Sequence, residues 1–129
     1  MSKIGLDTGF LIKLYAKDEK AIELWREIVN HEYSLTLNIL SIFEFLRVSL
    51  RANKDYFSSV AFLDKIKQTT NILNITDNLC CLASKLSTIY KLASMEALIL
   101  TSLFEAGCEI ILTTNKDFKR IKETKIILV

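Results

Sequence analysis

Proline is absent from this 129-residue chain, and glycine occurs only at Gly5, Gly9 and Gly107. Glycines so scattered build neither a G-x-G-x-x-G turn nor a P-loop, which excludes phosphate binding by a glycine-rich cradle. His31 is the only histidine and lies in a polar turn, so histidine-based acid–base catalysis or metal ligation is not expected. Cys80, Cys81 and Cys108 are odd in number and have no C-x-x-C spacing, so they are read as small buried apolar residues rather than as disulfides or zinc ligands. No hydrophobic run is long: the best, Ala97 to Phe104, falls far short of a membrane span. Met1-Ser2-Lys3 does not open a signal peptide. A cytoplasmic protein without a membrane partner is expected, and there the acceptor-like Asn74-Ile75-Thr76 carries no meaning. A net charge of +2 is too small to announce a nucleic-acid partner by itself. Repeats, linkers and low-complexity stretches are missing, so residues 1–129 are expected to form one domain.

Apolar material is plentiful: half of the residues are hydrophobic and the mean hydropathy is +0.27. That is ample for a packed core. Lys3 to Leu6 reads as a short buried strand ending at Asp7-Thr8-Gly9, and Phe10 to Tyr15 as helical. Asp18 to Val29 predicts a helix, with Ala21, Ile22, Trp25, Ile28 and Val29 on one stripe. Trp25 on that stripe reads as core rather than as a platform for stacking bases. Tyr33 to Leu37 predicts a second strand, with Asn38 capping a helix to about Ala52. Asp55 caps a helix to about Thr69, and Asn71 to Ile75 reads as a third strand. Thr76 or Asp77 starts a helix to Tyr90; Ser94 starts another, which Gly107 ends. Glu109 to Thr113 and Lys125 to Val129 complete the strands. Strands alternating with helices predict an α/β fold with a mostly parallel sheet covered on both faces. Ligands of such sheets sit beyond the carboxyl ends of the strands. Polar residues stand there: Asp7-Thr8 after the first strand, and Thr113-Thr114-Asn115-Lys116-Asp117 at the fourth.

Three acids are out of place. Glu44 is set in Ile39-Leu40-Ser41-Ile42-Phe43-Glu44-Phe45-Leu46-Arg47-Val48, where a charge is costly unless paired or metal-bound. A salt bridge to Arg47, or exposure on an outer stripe, would also account for it. Glu96 occupies a first helical turn, where a carboxylate suits the helix dipole, yet Ile99, Leu100 and Leu103 share its face. Asp7 has the ordinary alternative of capping the next helix. Those alternatives explain each acid but not the set, and oxygen ligands in a group suit a hard cation such as Mg²⁺.

In order and spacing these segments resemble the PIN domain, especially the toxin half of VapBC-type pairs, over nearly the whole chain. The resemblance is carried by Ile4-Gly5-Leu6-Asp7-Thr8-Gly9-Phe10-Leu11-Ile12, by Ser41-Ile42-Phe43-Glu44-Phe45, and by Met95 to Gly107 leading into Ile110-Ile111-Leu112-Thr113-Thr114-Asn115-Lys116-Asp117-Phe118. It implies a central parallel sheet flanked by helices, with Asp7, Glu44 and Glu96 as ligands of Mg²⁺ or Mn²⁺. Thr8 and Thr113 are implied as polar supports of the pocket. It further implies an RNA substrate, a silencing antitoxin protein and a homodimer. Two departures stand out. Glu96 stands where Asp is usual, and Asn115 stands where the family has a fourth acid; an amide oxygen can ligate but brings no charge. Asp117 is close and can compensate.

The implied chemistry is hydrolysis of an RNA phosphodiester. Asp7, Glu44 and Glu96 would hold one cation, and Asn115 and Asp117 would position a water or a weakly held second ion, leaving a 5′-phosphate. Lys116, Lys119, Arg120, Lys122 and Lys125, and the helical stripe of Arg47, Arg51 and Lys54, suit phosphate attraction; a solvated helix face explains them equally. Two other readings keep the fold: a PIN-like module that binds RNA or protein without cutting, and an RNA-trimming nuclease with no antitoxin. A phosphatase of the haloacid dehalogenase type needs D-x-D after its first strand, and Gly9 excludes it.

Overall fold

The computed structural model describes residues 2–122 and 125–129. Five short strands form one sheet, and the central three are its most deeply buried, since helices cover both of their faces. The elements run β1 (Lys3–Leu6), α1 (Thr8–Tyr15), α2 (Glu19–Asn30), β2 (Ser34–Asn38), α3 (Ile39–Arg51), α4 (Tyr56–Thr69), β3 (Thr70–Leu73), α5 (Asp77–Tyr90), α6 (Ser94–Glu105), β4 (Ile110–Thr113), a 3₁₀ helix (Lys116–Arg120) and β5 (Lys125–Leu128). Caps set many of these boundaries. Asp18, Asn38, Asp55 and Thr76 each accept a backbone N–H from the helix they precede. Gly107, at φ 83°, closes α6 in the left-handed conformation that glycine tolerates.

The sheet order is β3-β2-β1-β4-β5, and every pair is parallel. Residues alternate between two cores. Ile4, Leu6, Leu35, Leu37 and Leu112 pack with Phe10, Leu11, Phe45, Leu63 and Ile66 beneath α1–α4. Ile111 and Ile126 pack on the other face with Ala97, Leu100, Leu103 and Phe118, beneath α5 and α6. Trp25 packs against the first core, as read from its stripe. Val29 does not: it is 53% exposed at the solvent end of α2.

Other expectations are corrected. Cys80 and Cys81 are exposed, and only Cys108 is buried. Helix α5 buries Leu79 and Ala83, four residues apart, so the cysteines between them face outward. Strand β3 begins at Thr70 rather than Asn71, because its ladder with β2 starts at Leu35↔Thr70 and ends at Asn38↔Leu73. The 3₁₀ helix after β4 was not anticipated; its five residues are too few to show a period.

Gly9 lies where α1 passes the loop after β4. A Cβ there would stand 1.9 Å from Thr114 Oγ1 and 3.0 Å from Thr114 Cβ. Gly9→Ala is therefore expected to destabilise the fold by about 1 kcal/mol, with the loop displaced rather than the helix. Denaturant midpoints measure it, and an unchanged midpoint would mean that Thr114 simply rotates away.

Candidate metal centre

Sheet order decides which strand ends meet. The connection reverses direction at β1, between β2 on one side and β4 on the other, which is where parallel sheets open a crevice. Asp7 follows β1 directly, and its N–H bonds Leu112 O at 3.0 Å, extending the ladder to β4. One residue beyond Leu6↔Leu112, Asp7 stands beside Thr113; two beyond Gly5↔Thr36, it stands beside Asn38. Alternation places all three side chains on the α6 face of the sheet, since Gly5 faces Leu103.

Asp7 occupies the N-cap position of α1 but makes no side-chain cap bond. Its carboxylate instead accepts from Thr113 Oγ1 at 2.6 Å, and Thr113 is fully buried. Thr113 Oγ1 in turn accepts the Asn115 N–H at 3.0 Å. Asp7 is only 8% exposed. Burial pushes its pKa up from 3.8 to about 6; the bonds from Thr113 and the Thr8 backbone pull it down, and the charges of Glu44 and Glu96 push it up again. The structure thus brings Asp7, Glu44 and Glu96 into one electrostatic field from β1, α3 and α6.

Glu44 is half-buried. The salt bridge to Arg47 is not formed: that guanidinium lies over the Phe43 ring, 5.5 Å from its centroid. Glu96 is half-buried in the first turn of α6, after an Ala93 that provides no side-chain cap. Thr8 is buried with its hydroxyl unbonded. Asn115 Oδ1 is engaged, accepting from the Asp117 N–H at 2.9 Å. Asp117 is exposed and is not among the charges acting on Asp7.

Among the described residues, no three His, Cys, Asp or Glu side chains converge closely enough to form a finished metal site. Three carboxylates repel one another, and both glutamates have free torsions with which to adjust. The donor chemistry nevertheless fits a hard divalent cation: it is all oxygen, and one carboxylate is buried at a cost that a cation would reverse. Asn38 was read from sequence only as a helix cap. It caps Leu40 N through Oδ1 at 2.8 Å, but its Nδ2 is buried with no partner among the described residues.

The PIN domain family profile matches residues 4–124. The chain belongs to the PIN domain family. No curated protein sequence matches it. Its fold is shared with VapBC2 of Rickettsia felis, solved with a DNA fragment from its promoter: TM-score 0.78, 15% identity, 98% of each chain covered. VapBC-1 of nontypeable Haemophilus influenzae gives 0.76 at 18% identity, covering 98% of this chain and 97% of that one. A sarcin–ricin-loop-cleaving VapC toxin of Mycobacterium tuberculosis gives 0.73 at 12%, covering 91% and 93%.

Within this PIN domain the basic residues divide. Lys116, Lys119 and Arg120 follow Asn115 at the site's edge, with Lys119 Nζ on Ile126 O and Arg120 on Tyr90 O and Asp117 O. Lys125 opens β5 beside Ile110, at the opposite edge of the sheet. Thr113→Val is expected to destabilise the PIN domain by about 1–2 kcal/mol, since a buried carboxylate and the Asn115 N–H both lose a partner. It also pushes the Asp7 pKa higher still, which carboxyl chemical shifts across a pH titration would follow; an unmoved Asp7 would show that the 2.6 Å bond carries no charge stabilisation.

Proposed function

We propose that this PIN domain is a divalent-metal-dependent endoribonuclease, the toxin of a type II toxin–antitoxin pair. The observation that carries the reading is Asp7, buried at the carboxyl end of the central strand and held by Thr113 Oγ1 at 2.6 Å, with Glu44 and Glu96 near enough for their charges to act on it. Asp7, Glu44 and Glu96 would hold Mg²⁺ or Mn²⁺, which when bound lowers the pKa of water and takes up charge on phosphate oxygens. Thr113 fixes one oxygen of Asp7, so that carboxylate is oriented before any ligand arrives. Thr8 lends a free hydroxyl at the same strand end. Asn115 and Asp117 order the loop beside the pocket and position water there. Lys116 and its neighbours at that edge attract the RNA backbone.

Exposed apolar surface supports protein partners, an antitoxin and a second copy. Ile39, Phe43 and Leu50 lie exposed along α3, and Phe57, at the start of α4, is 80% exposed. A groove of about 540 Å³ runs between α1, α2 and α4, with Leu14, Tyr15, Trp25, Phe62 and Ile66 in its lining. Among the described residues, no helix is long and apolar enough to cross a membrane. We place the domain in the cytoplasm.

The test is cleavage of end-labelled RNA by the purified protein in Mg²⁺, in Mn²⁺ and in chelator. Metal-dependent products bearing 5′-phosphates support the reading. Products ending in 2′,3′-cyclic phosphate would refute the water-attack chemistry. Metal-independent RNA binding without cleavage would favour the non-cutting module, a reading the missing charge at Asn115 keeps open.

A further inference from the structure

Asn38 is fully buried at the end of β2. Its Oδ1 is committed to the Leu40 N–H at 2.8 Å, which fixes the orientation of the amide and leaves Nδ2 as the free end. That nitrogen has no acceptor among the described residues. Buried donors without acceptors are rare enough to need a reason. Capping alone does not supply one, because serine caps a helix as well as asparagine and would bury no amide. The register supplies it: Asn38, Asp7 and Thr113 form one row across three adjacent strands, on the same face of the sheet. Thr113 already donates to one oxygen of Asp7 from the β4 side. Extending the Gly5↔Thr36 register by two residues sets Asn38 beside Asp7 on the β2 side, with no hydrogen bond between the two side chains.

We propose that Asn38 is a positioning residue of the metal centre, its Nδ2 donating to the Asp7 carboxylate when a divalent cation is held there. The inference rests on the metal reading above. A ligating carboxylate must present one edge to the ion and keep it there, and donors behind it fix that orientation. Thr113 and Asn38 bracket Asp7 for this purpose. With its oxygen committed to the cap, the amide has only its N–H donors left to offer, so it would support a ligand without competing for the cation.

Asn38→Ser tests it, because the hydroxyl keeps the cap on α3 and removes the reach of the amide. The thermal midpoint without metal is expected to stay at the wild-type value, while calorimetric Mn²⁺ affinity falls by about tenfold to a hundredfold. In the wild type, the Asn38 side-chain amide resonances are expected to shift, and their exchange with water to slow, on saturation with diamagnetic Mg²⁺. This second readout stands even if the variant fails to fold, and a residue that served only as a cap would not move it. Wild-type metal affinity in Asn38→Ser, or amide resonances that ignore Mg²⁺, would overturn the role of Asn38 alone, provided that Asp7→Asn abolishes binding. A wild type that binds neither cation would overturn this role and the metal reading together.

Discussion

Asp7→Asn is expected to stabilise the metal-free protein at neutral pH while abolishing metal binding and RNA cleavage. Asp7 is 8% exposed, and its pKa is raised from 3.8 to about 6, by burial first and then by Glu44 and Glu96. A raised acid pKa means that the folded state binds the proton more tightly than the unfolded chain does. The ionised group therefore costs stability at every pH above about 6, and the cost is relieved as pH falls from there towards 4. At neutral pH the cost is about 3 kcal/mol. Asparagine matches the size of the side chain, still accepts from Thr113, and carries no charge. A melting temperature roughly 10 °C higher at pH 7 follows for the variant in chelator, shrinking to nothing by about pH 4. Mn²⁺ is expected to raise the wild-type midpoint and leave the variant's unmoved. Melts across that pH range, with and without Mn²⁺, measure both effects. A variant less stable than wild type at pH 7 in chelator would show that the Asp7 charge is not a burden, and the case for a cation at this carboxylate would lose its physical basis.

Asn115→Asp is expected to act in the opposite direction. Asn115 caps the 3₁₀ helix by accepting from the Asp117 N–H at 2.9 Å, a bond an aspartate makes equally well. Its own N–H donates to Thr113 Oγ1, one bond removed from Asp7. The substitution therefore keeps the loop and adds a negative charge and a second carboxylate oxygen beside the pocket. Cation affinity scales with ligand charge, so Mn²⁺ is expected to bind tenfold more tightly or better, with a matching rise in cleavage at limiting metal. The metal-free protein pays in stability, since a fourth like charge pushes the Asp7 pKa further up. Calorimetry beside melts in chelator reads both signs at once. Unchanged affinity would mean that residue 115 acts as a cap alone and lies outside the field of the three acids.

Part of this site was legible in the linear chain and part was not. Glu44 was legible because an acid among Leu40, Ile42, Phe43 and Phe45 conflicts with its surroundings. Asp7 and Glu96 were legible as acids on strand-end and inward-facing positions, although each had an ordinary explanation. That Asp7 forms no cap bond, and that Arg47 turns to Phe43 instead of Glu44, needed side-chain positions. Asn38 was visible as a helix start and invisible as an amide donor, because a cap signal reports only the oxygen. Cys80 and Cys81 were misread as buried: adjacent residues on a helix cannot both be placed without knowing which face α6 covers.

The sequence by itself determined the local elements, their caps and the parallel α/β class, because those follow from short-range periodicity and from the choice of residues at helix starts. Only the tertiary structure decided the strand order β3-β2-β1-β4-β5. That order joins Thr113 to Asp7 across 106 residues and sets Asn38 on its other flank. No local pattern encodes such pairing, since a strand buried on both faces presents the same apolar sequence to any neighbour. Which strands lie side by side is settled by the crossovers and by the fit of the two cores, and the chemistry of the pocket depends on that choice.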